Sequence, residues 1–289
     1  MRHSILHTAG NVVWVARNDR RHALPLLSTY LFLKLNELLA SSRAKRSSRT
    51  SILGMEVAFF DHYWLVEMFE EIFLRGQYRF ESQNPRPVII DVGSNIGLSI
   101  LFFKRLFPDA KVIGFEPNPE TFEVLTMNVR NNRLDDVVLL NEAVHDGRAS
   151  VDLYGDPDVP GSPQESTRSE KMVDRTRTVR ATRLSEHVVG PVDFLKLDVE
   201  GAERVVVDEL EKSGRLPLVD RMAIEYHHHL DPDEDALSEI LLALERSGFG
   251  YQLEARLGVS AGSCARGYQN VLVHAYRKGV TPAQPSDGR

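Results

Sequence analysis

The segment "EYHHHL" (225–230) sets Glu225, His227, His228 and His229 close together, and histidine is the side chain that takes up a proton near neutral pH. "KLDVEG" (196–201) adds Lys196, Asp198 and Glu200. A third stretch, "DVGSNIG" (91–97), lies between the apolar run "PVII" and the helix-like "LSILFFKRLF", so it reads as a glycine-bearing turn from a strand into a helix. Together these offer a ligand-holding turn, groups that carry charge and a candidate proton acceptor.

The turn narrows the ligand. A dinucleotide fingerprint starting at Gly93 needs glycine at 95 and 98, where this chain has Asn95 and Leu98, so the backbone cannot approach a pyrophosphate in that way. That argues against a nicotinamide oxidoreductase. No Lys-Ser/Thr pair follows Gly97, which excludes a P-loop. Asp91 at the strand end would repel a pyrophosphate but suits a cationic ligand such as the ammonium of S-adenosylmethionine. Glu116 ends the next strand 25 positions later, where a carboxylate grips ribose hydroxyls in this architecture. Asn141, Glu142 and Ala143 end the third strand, where an adenine ring would lie.

These residues need a frame, and the sequence supplies one. From residue 88 onward apolar strand-like runs alternate with amphipathic helix-like stretches: "VIIDV", "LSILFFKRLF", "KVIGFEP", "PETFEVLTMNVRNN", "VVLLNEAV". That order predicts a parallel sheet covered by helices. A β excursion at "ASVDLYG" follows, then "VDFLKLDV", a helix at "GAERVVVDELEKSG", the strand "DRMAIEYH", another helix and two closing strands. Asn118 before Pro119, and Asp231 before Pro232, mark helix starts. Residues 156–175 show no periodicity and read as a lid-like loop.

Four segments, "IIDVGSNIGLS", "VIGFEPNP", "DFLKLDVEGAE" and "AIEYHHHL", resemble the FkbM-type family of class I S-adenosylmethionine-dependent methyltransferases, over roughly residues 86–277. The run from Lys196 to Glu203 carries the most specific part, and Ser94 stands where that family commonly has Ala. The resemblance implies an α/β, Rossmann-like sheet of seven mostly parallel strands with helices on both faces. It also implies bound S-adenosylmethionine and methyl transfer, mostly to hydroxyl oxygens of sugars, polyketides or other secondary metabolites. On that reading Asp91, Gly93, Ser94, Asn95, Gly97, Glu116, Pro117, Glu142, Ala143 and Asp198 hold the cofactor.

Methyl transfer to oxygen demands alignment and removal of a proton. Side chains alternate along a strand, so Glu225, His227 and His229 share one side. His227 is the first choice as base, oriented by Asp198 or Glu225, while Glu200, His229 and Lys196 face the acceptor. Histidine is a poor ligand for magnesium and the spacing is not a standard zinc pattern, so no metal is expected. A non-catalytic scaffold, and methylation of nitrogen or a carboxylate, are the competing readings.

The 289 residues, 42% hydrophobic and 26% charged, have an ordinary globular composition. The single Cys264 excludes an internal disulfide framework and fits a cytoplasmic setting. Residues 1–50 hold nine Lys/Arg against two Asp/Glu, leaving the rest strongly acidic. We divide the chain into an N-terminal helical extension with a basic linker (1–85), the methyltransferase domain (86–278) and a disordered tail (279–289). "ALPLLSTYLFLKLNELLA" (23–40) is interrupted by Pro25, Lys34, Asn36 and Glu37, so it is not a membrane span. Its Leu27, Leu31, Leu35 and Leu38 form a stripe expected to pack on the body or across a homodimer. "SSRAKRSSRTS" (41–51) reads as a basic linker without nucleic-acid binding, and the expected partner is a small-molecule acceptor.

Overall fold

The computed structural model describes residues 10–12, 23–39, 47–154, 176–228, 235–255 and 269–279. The 156–175 loop, the Asp231 helix start, His229 and residues 280–289 lie outside them. Helix α1 (Ala23–Leu39) carries Pro25 in its first turn, where no N–H is required. Its buried face is Leu26, Tyr30 and Leu33. Of the expected stripe only Leu27 packs against the core; Leu31, Leu35 and Leu38 are exposed. Tyr30 decides the orientation, because its large ring packs in the core while its hydroxyl donates to Glu70 at 2.8 Å.

Residues 48–59 also differ from expectation. Part of the anticipated linker is a strand, β1 (Ser48–Ile52), paired antiparallel with β2 (Met55–Phe59). Leu53 and Gly54, both at positive φ (51° and 86°), make the tight turn whose twist suits a two-residue hairpin. The fully buried Asn128 fastens this hairpin to the rest of the molecule. Its amide accepts from Ala58 N (2.7 Å) and donates to the carbonyls of Ala58 (2.9 Å) and Ile96 (2.8 Å). Asn128→Ala strands those backbone groups in the core, so we expect a loss of about 1–3 kcal/mol in a denaturant melt, with early proteolysis in the hairpin.

Helix α2 (His62–Phe69) is capped by Asp61, whose side chain accepts from Tyr63 N and Trp64 N. It runs into a π-helical turn at Glu70–Leu74, an irregularity frequent at functional sites. Then come β3 (Val88–Val92), α3 (Leu98–Leu106), β4 (Lys111–Phe115), α4 (Pro119–Asn131), β5 (Val137–Leu140), β6 (Ala143–Val144), β7 (Ser150–Tyr154), β8 (Thr176–Thr182) and β9 (Val192–Leu197). The chain continues through α5 (Glu203–Lys212), β10 (Val219–His228), α6 (Leu237–Arg246), β11 (Phe249–Ala255) and β12 (Gln269–Arg277). Asn118 caps α4 as expected, accepting from Glu120 N and Thr121 N with Pro119 next.

The main sheet has seven strands in the order β11-β12-β10-β9-β3-β4-β5. Strand β12 alone runs antiparallel to its neighbours, pairing with β10 and β11. The expected α/β, mostly parallel arrangement therefore holds, and the two closing strands do pair with each other. Adjacent residues feed opposite faces: Ile89 and Phe194 join the core under α1 to α4, while Ile90 and Leu195 join the core under α5 and α6. The N-terminal elements thus share one core with the sheet. Beside it lies a three-stranded sheet, β6-β8-β7. Strand β8 was not foreseen, since "TRTVRAT" has only Val179 buried and takes its form from pairing with β7.

The first strand, β3, sits between β9 and β4, so the strand order reverses there. Ligands bind at the carboxyl edge of such a reversal.

Candidate active site

The turn after β3 is built by close approach of backbones. Gly93 (φ 81°) and Ser94 both donate to Phe115 O, at 3.0 and 2.8 Å. A Cβ on Gly93 would lie 1.8 Å from the carbonyl oxygen of Asp198, so only glycine lets the ends of β3 and β9 meet. Glu116 holds the far side of the turn, its two carboxyl oxygens accepting from Asn95 N and Asn118 N, each at 2.9 Å. Asn141 ties the end of β5 to the same place, donating to the carbonyls of Glu116 and Pro117.

A cavity of about 230 Å³ opens at this edge. Of the residues singled out in the sequence, Gly93, Ser94, Asn95, Glu116, Pro117, Glu142, Ala143, Lys196, Asp198, Glu200 and Glu225 line it. Asp91, Gly97 and His227 do not. Asp91 is fully buried beneath the turn, accepting from Ser99 Oγ at 2.5 Å, with Lys196 Nζ at 3.4 Å. The ligand-facing role expected for it gives way to an inner one, because its side chain points toward α3. Gly97 caps α3 at φ 89° and packs where a Cβ would meet Leu125 at 2.6 Å. Trp64, Glu71, Tyr78 and Asn270 also line the cavity and were missed. They come from the N-terminal elements and the last strand, and no motif marks them.

Lys196 is 3% exposed and sits at the centre of the floor. Its ammonium donates to Gly93 O at 2.6 Å, lies 3.2 Å from Asp198 Oδ2 and stands 5.3 Å over the Tyr78 ring. Burial pulls its pKa down, but the charges of Asp198 and Asp91 outweigh that and hold it above the ordinary lysine value. The Glu225 carboxyl, beside it, is raised as well, for a different reason. Burial first, then the charge of Asp198, push its carboxyl up to about 7. Asn270 Nδ2 donates to Glu225 Oε1 at 2.6 Å and the Tyr78 hydroxyl approaches Oε2 at 3.4 Å. The side-chain oxygen of Asn270 has no hydrogen-bond partner among the described residues.

His227, the first choice as proton acceptor, is buried behind Asp198 and Glu200. Its Nδ1 is 2.7 Å from Glu203 Oε1, and its Nε2 is 3.3 Å from Glu200 and 3.8 Å from Asp198. Glu203 in turn accepts from Gly201 N, and Glu200 takes a positive φ of 54° to reach the ring. Burial lowers the histidine pKa, yet Glu203 and Asp198 more than reverse this and raise it. The ring is enclosed by these carboxyls and does not line the cavity. Asp198, Glu200 and His227 each bring one atom within 4.8 Å of the others, a spacing that a metal ion could use. These three groups, with Glu203, form one polar cluster at and behind the cavity wall.

The lining also decides which cofactor fits. Glu67, Glu71, Glu116, Glu142, Asp198, Glu200 and Glu225 face the cavity, against Lys196 as the one cation among the described lining residues. Such a wall opposes phosphates and suits a nucleoside that carries positive charge.

Residues 91–253 match the family model described as the methyltransferase FkbM domain. Methyltransferase sdnD of Sordaria araneosa is 28% identical, the match covering 54% of this chain and 78% of that protein. The 31-O-demethyl-FK506 methyltransferase FkbM of Streptomyces tacrolimicus is 29% identical over 63% of this chain and 80% of its own length. Hexuronic acid methyltransferase AglP of Haloferax volcanii is 28% identical over 66% and 81%. With more than half its length matched by that model, on the sheet and turn described above, this chain belongs to the FkbM family of S-adenosylmethionine-dependent methyltransferases.

Proposed function

We propose that the protein methylates a hydroxyl oxygen of a small-molecule acceptor, with Glu225 taking the hydroxyl proton. The observation that supports this most is the position and acidity of Glu225: it lines the cavity, and its carboxyl is pushed up to about 7, where a general base works best. S-adenosylmethionine supplies an electrophilic methyl group. Glu116 would then hold the ribose hydroxyls, the turn from Gly93 to Asn95 the nucleoside, and Glu142 and Ala143 the adenine. Asn270 and Tyr78 orient the acceptor and the Glu225 carboxyl. Asp198, fixed between Lys196 and His227, keeps the donor side rigid, so His227 is a positioning residue. Lys196 and Glu200 would face the acceptor from the cavity wall.

The names of the FkbM and AglP relatives, which specify 31-O-demethyl-FK506 and hexuronic acid, are consistent with a small-molecule acceptor. The carboxylate-rich wall attracts a cationic group, which makes an amine acceptor the second reading. Calorimetry should register S-adenosylmethionine and S-adenosylhomocysteine but not NAD. Turnover of a panel of hydroxylated and amino acceptors with an isotope-labelled methyl donor then identifies the atom by NMR. An ether methyl signal is expected. An N-methyl signal would replace the hydroxyl reading, and binding without turnover on any acceptor would favour a scaffold.

A further inference from the structure

We propose that a second cavity, beside Glu225, is the subsite that holds the body of the acceptor, and that it takes a polyhydroxylated body such as a sugar ring. The assignment rests on the reading that Glu225 meets the reacting hydroxyl. This cavity has a volume of about 230 Å³, as large as the first. The two share Glu71, Gln77, Glu225 and Asn270, so they meet at the proposed base. Arg75, Glu254 and Leu272 line the second cavity and not the first.

Strand pairing puts the second cavity on the side away from the cofactor turn. Glu225 on β10 lies opposite Leu272 on β12, and Leu272 lies opposite Glu254 on β11, so the three form one row across the sheet. Directly paired residues share a face, as do residues two apart on a strand, which adds Asn270 to that face. The row carries Glu254 about 10 Å, two strand spacings, from Glu225 and toward the β11 edge, whereas the turn after β3 lies in the other direction. Glu254 is exposed, so the cavity opens to solvent at that end. The turn after the π-helical segment supplies Arg75 and Gln77. It is closed by its own backbone, Gln77 N donating to Glu71 O at 3.2 Å and Arg79 N to Gly76 O at 2.8 Å.

The side chains that line this cavity identify its occupant. Those of Arg75, Gln77 and Glu254 make no hydrogen bond or ion pair among the described residues. Asn270 Oδ1 is buried and has no hydrogen-bond partner among them either. Arg75 offers donors only, the Glu254 carboxylate and Asn270 Oδ1 offer acceptors, and Gln77 offers both. A hydroxyl group donates and accepts, so a ring that bears several can pair with all four, while an ammonium or a carboxylate pairs with one kind alone. An apolar body would cover these groups without pairing them, and Leu272 is the single apolar side chain among the described lining residues.

The test reads binding before turnover. Methyl glycosides of common hexoses, with cyclohexanol as the apolar comparison, are added to the full chain saturated with S-adenosylhomocysteine and followed by saturation-transfer NMR. We expect glycosides to bind and cyclohexanol not to. Arg75→Ala/Glu254→Ala should weaken glycoside binding by about tenfold or more. Its melting temperature and its affinity for S-adenosylhomocysteine should stay unchanged, because neither residue lines the first cavity. No glycoside binding, a preference for cyclohexanol, or glycoside binding at full strength in the variant overturns the subsite. An ether product on an apolar alcohol with no glycoside bound would sink the subsite and leave hydroxyl methylation standing. A glycoside held through Arg75 and Glu254 that never gains a methyl group would do the reverse.

Discussion

Gly93→Ala should fail to accumulate as folded protein. The added Cβ would sit 1.8 Å from the Asp198 carbonyl oxygen, which is backbone of the adjacent strand and cannot step aside. Relief requires β3 and β9 to separate where they carry the cofactor turn and Asp198. We expect a loss of about 4 kcal/mol or more, a large share of the total for a domain. Gly54→Ala is the control. Its φ is also positive, at 86°, but nothing lies within 4 Å of the new atom, so only conformational strain of about 1 kcal/mol is expected. Thermal melts of the two variants separate backbone clash from dihedral strain. Equal, small losses would show that the two strand ends are farther apart than described.

Glu225→Gln should lower kcat by about 10²–10⁴-fold while S-adenosylmethionine affinity is preserved. The wild-type rate should rise with pH through about 7, as the Glu225 carboxyl ionises, and the residual rate of the variant should lack that rise. A stability measurement checks the same carboxyl without an acceptor. Its pKa rises on folding from an ordinary 4.5 to about 7, so the folded state binds the proton more tightly than the unfolded chain. That contribution is fully present below about 4.5 and disappears as pH rises through about 7, removing up to about 3 kcal/mol. His227, also raised, has the same sign: its contribution is lost as pH climbs through its folded-state value. In Glu225→Gln the part due to Glu225 vanishes, so stability should fall less between pH 5 and 8 than in the wild type. An unchanged slope would show that Glu225 titrates normally.

Much of the frame was legible because local pattern and tertiary role coincide. The alternation after residue 88, the Asn118–Pro119 cap and the glycines of the turn each carry a physical demand that a single stretch of chain can display. The site was legible on its donor side for the same reason: Glu116, Glu142 and Asp198 end strands, and strand ends at a reversal of order converge. What could not be read depends on segments far apart in the chain. Tyr78 reaches Glu225 across 147 positions and Asn270 across 45, and neither belongs to a motif. His227 looks like a base in isolation; in the fold the carboxyls of Asp198, Glu200 and Glu203 enclose it, and it does not line the cavity. Helix α1 offers two apolar stripes, and periodicity cannot say which one carries the residue, Tyr30, that finds a buried acceptor.

Asn128 also constrains how the protein comes into being. The hairpin it fastens is complete by residue 59, but Ala58 and Asn128 are 70 positions apart. On a ribosome extending the chain at about 5–20 residues per second, roughly 4–14 s pass before the clamp has even been made. Throughout that interval the hairpin lacks the side chain that fastens it, so the nascent hairpin is a natural client for chaperones. Its docking comes late, after the first helices and strands of the sheet have assembled behind it.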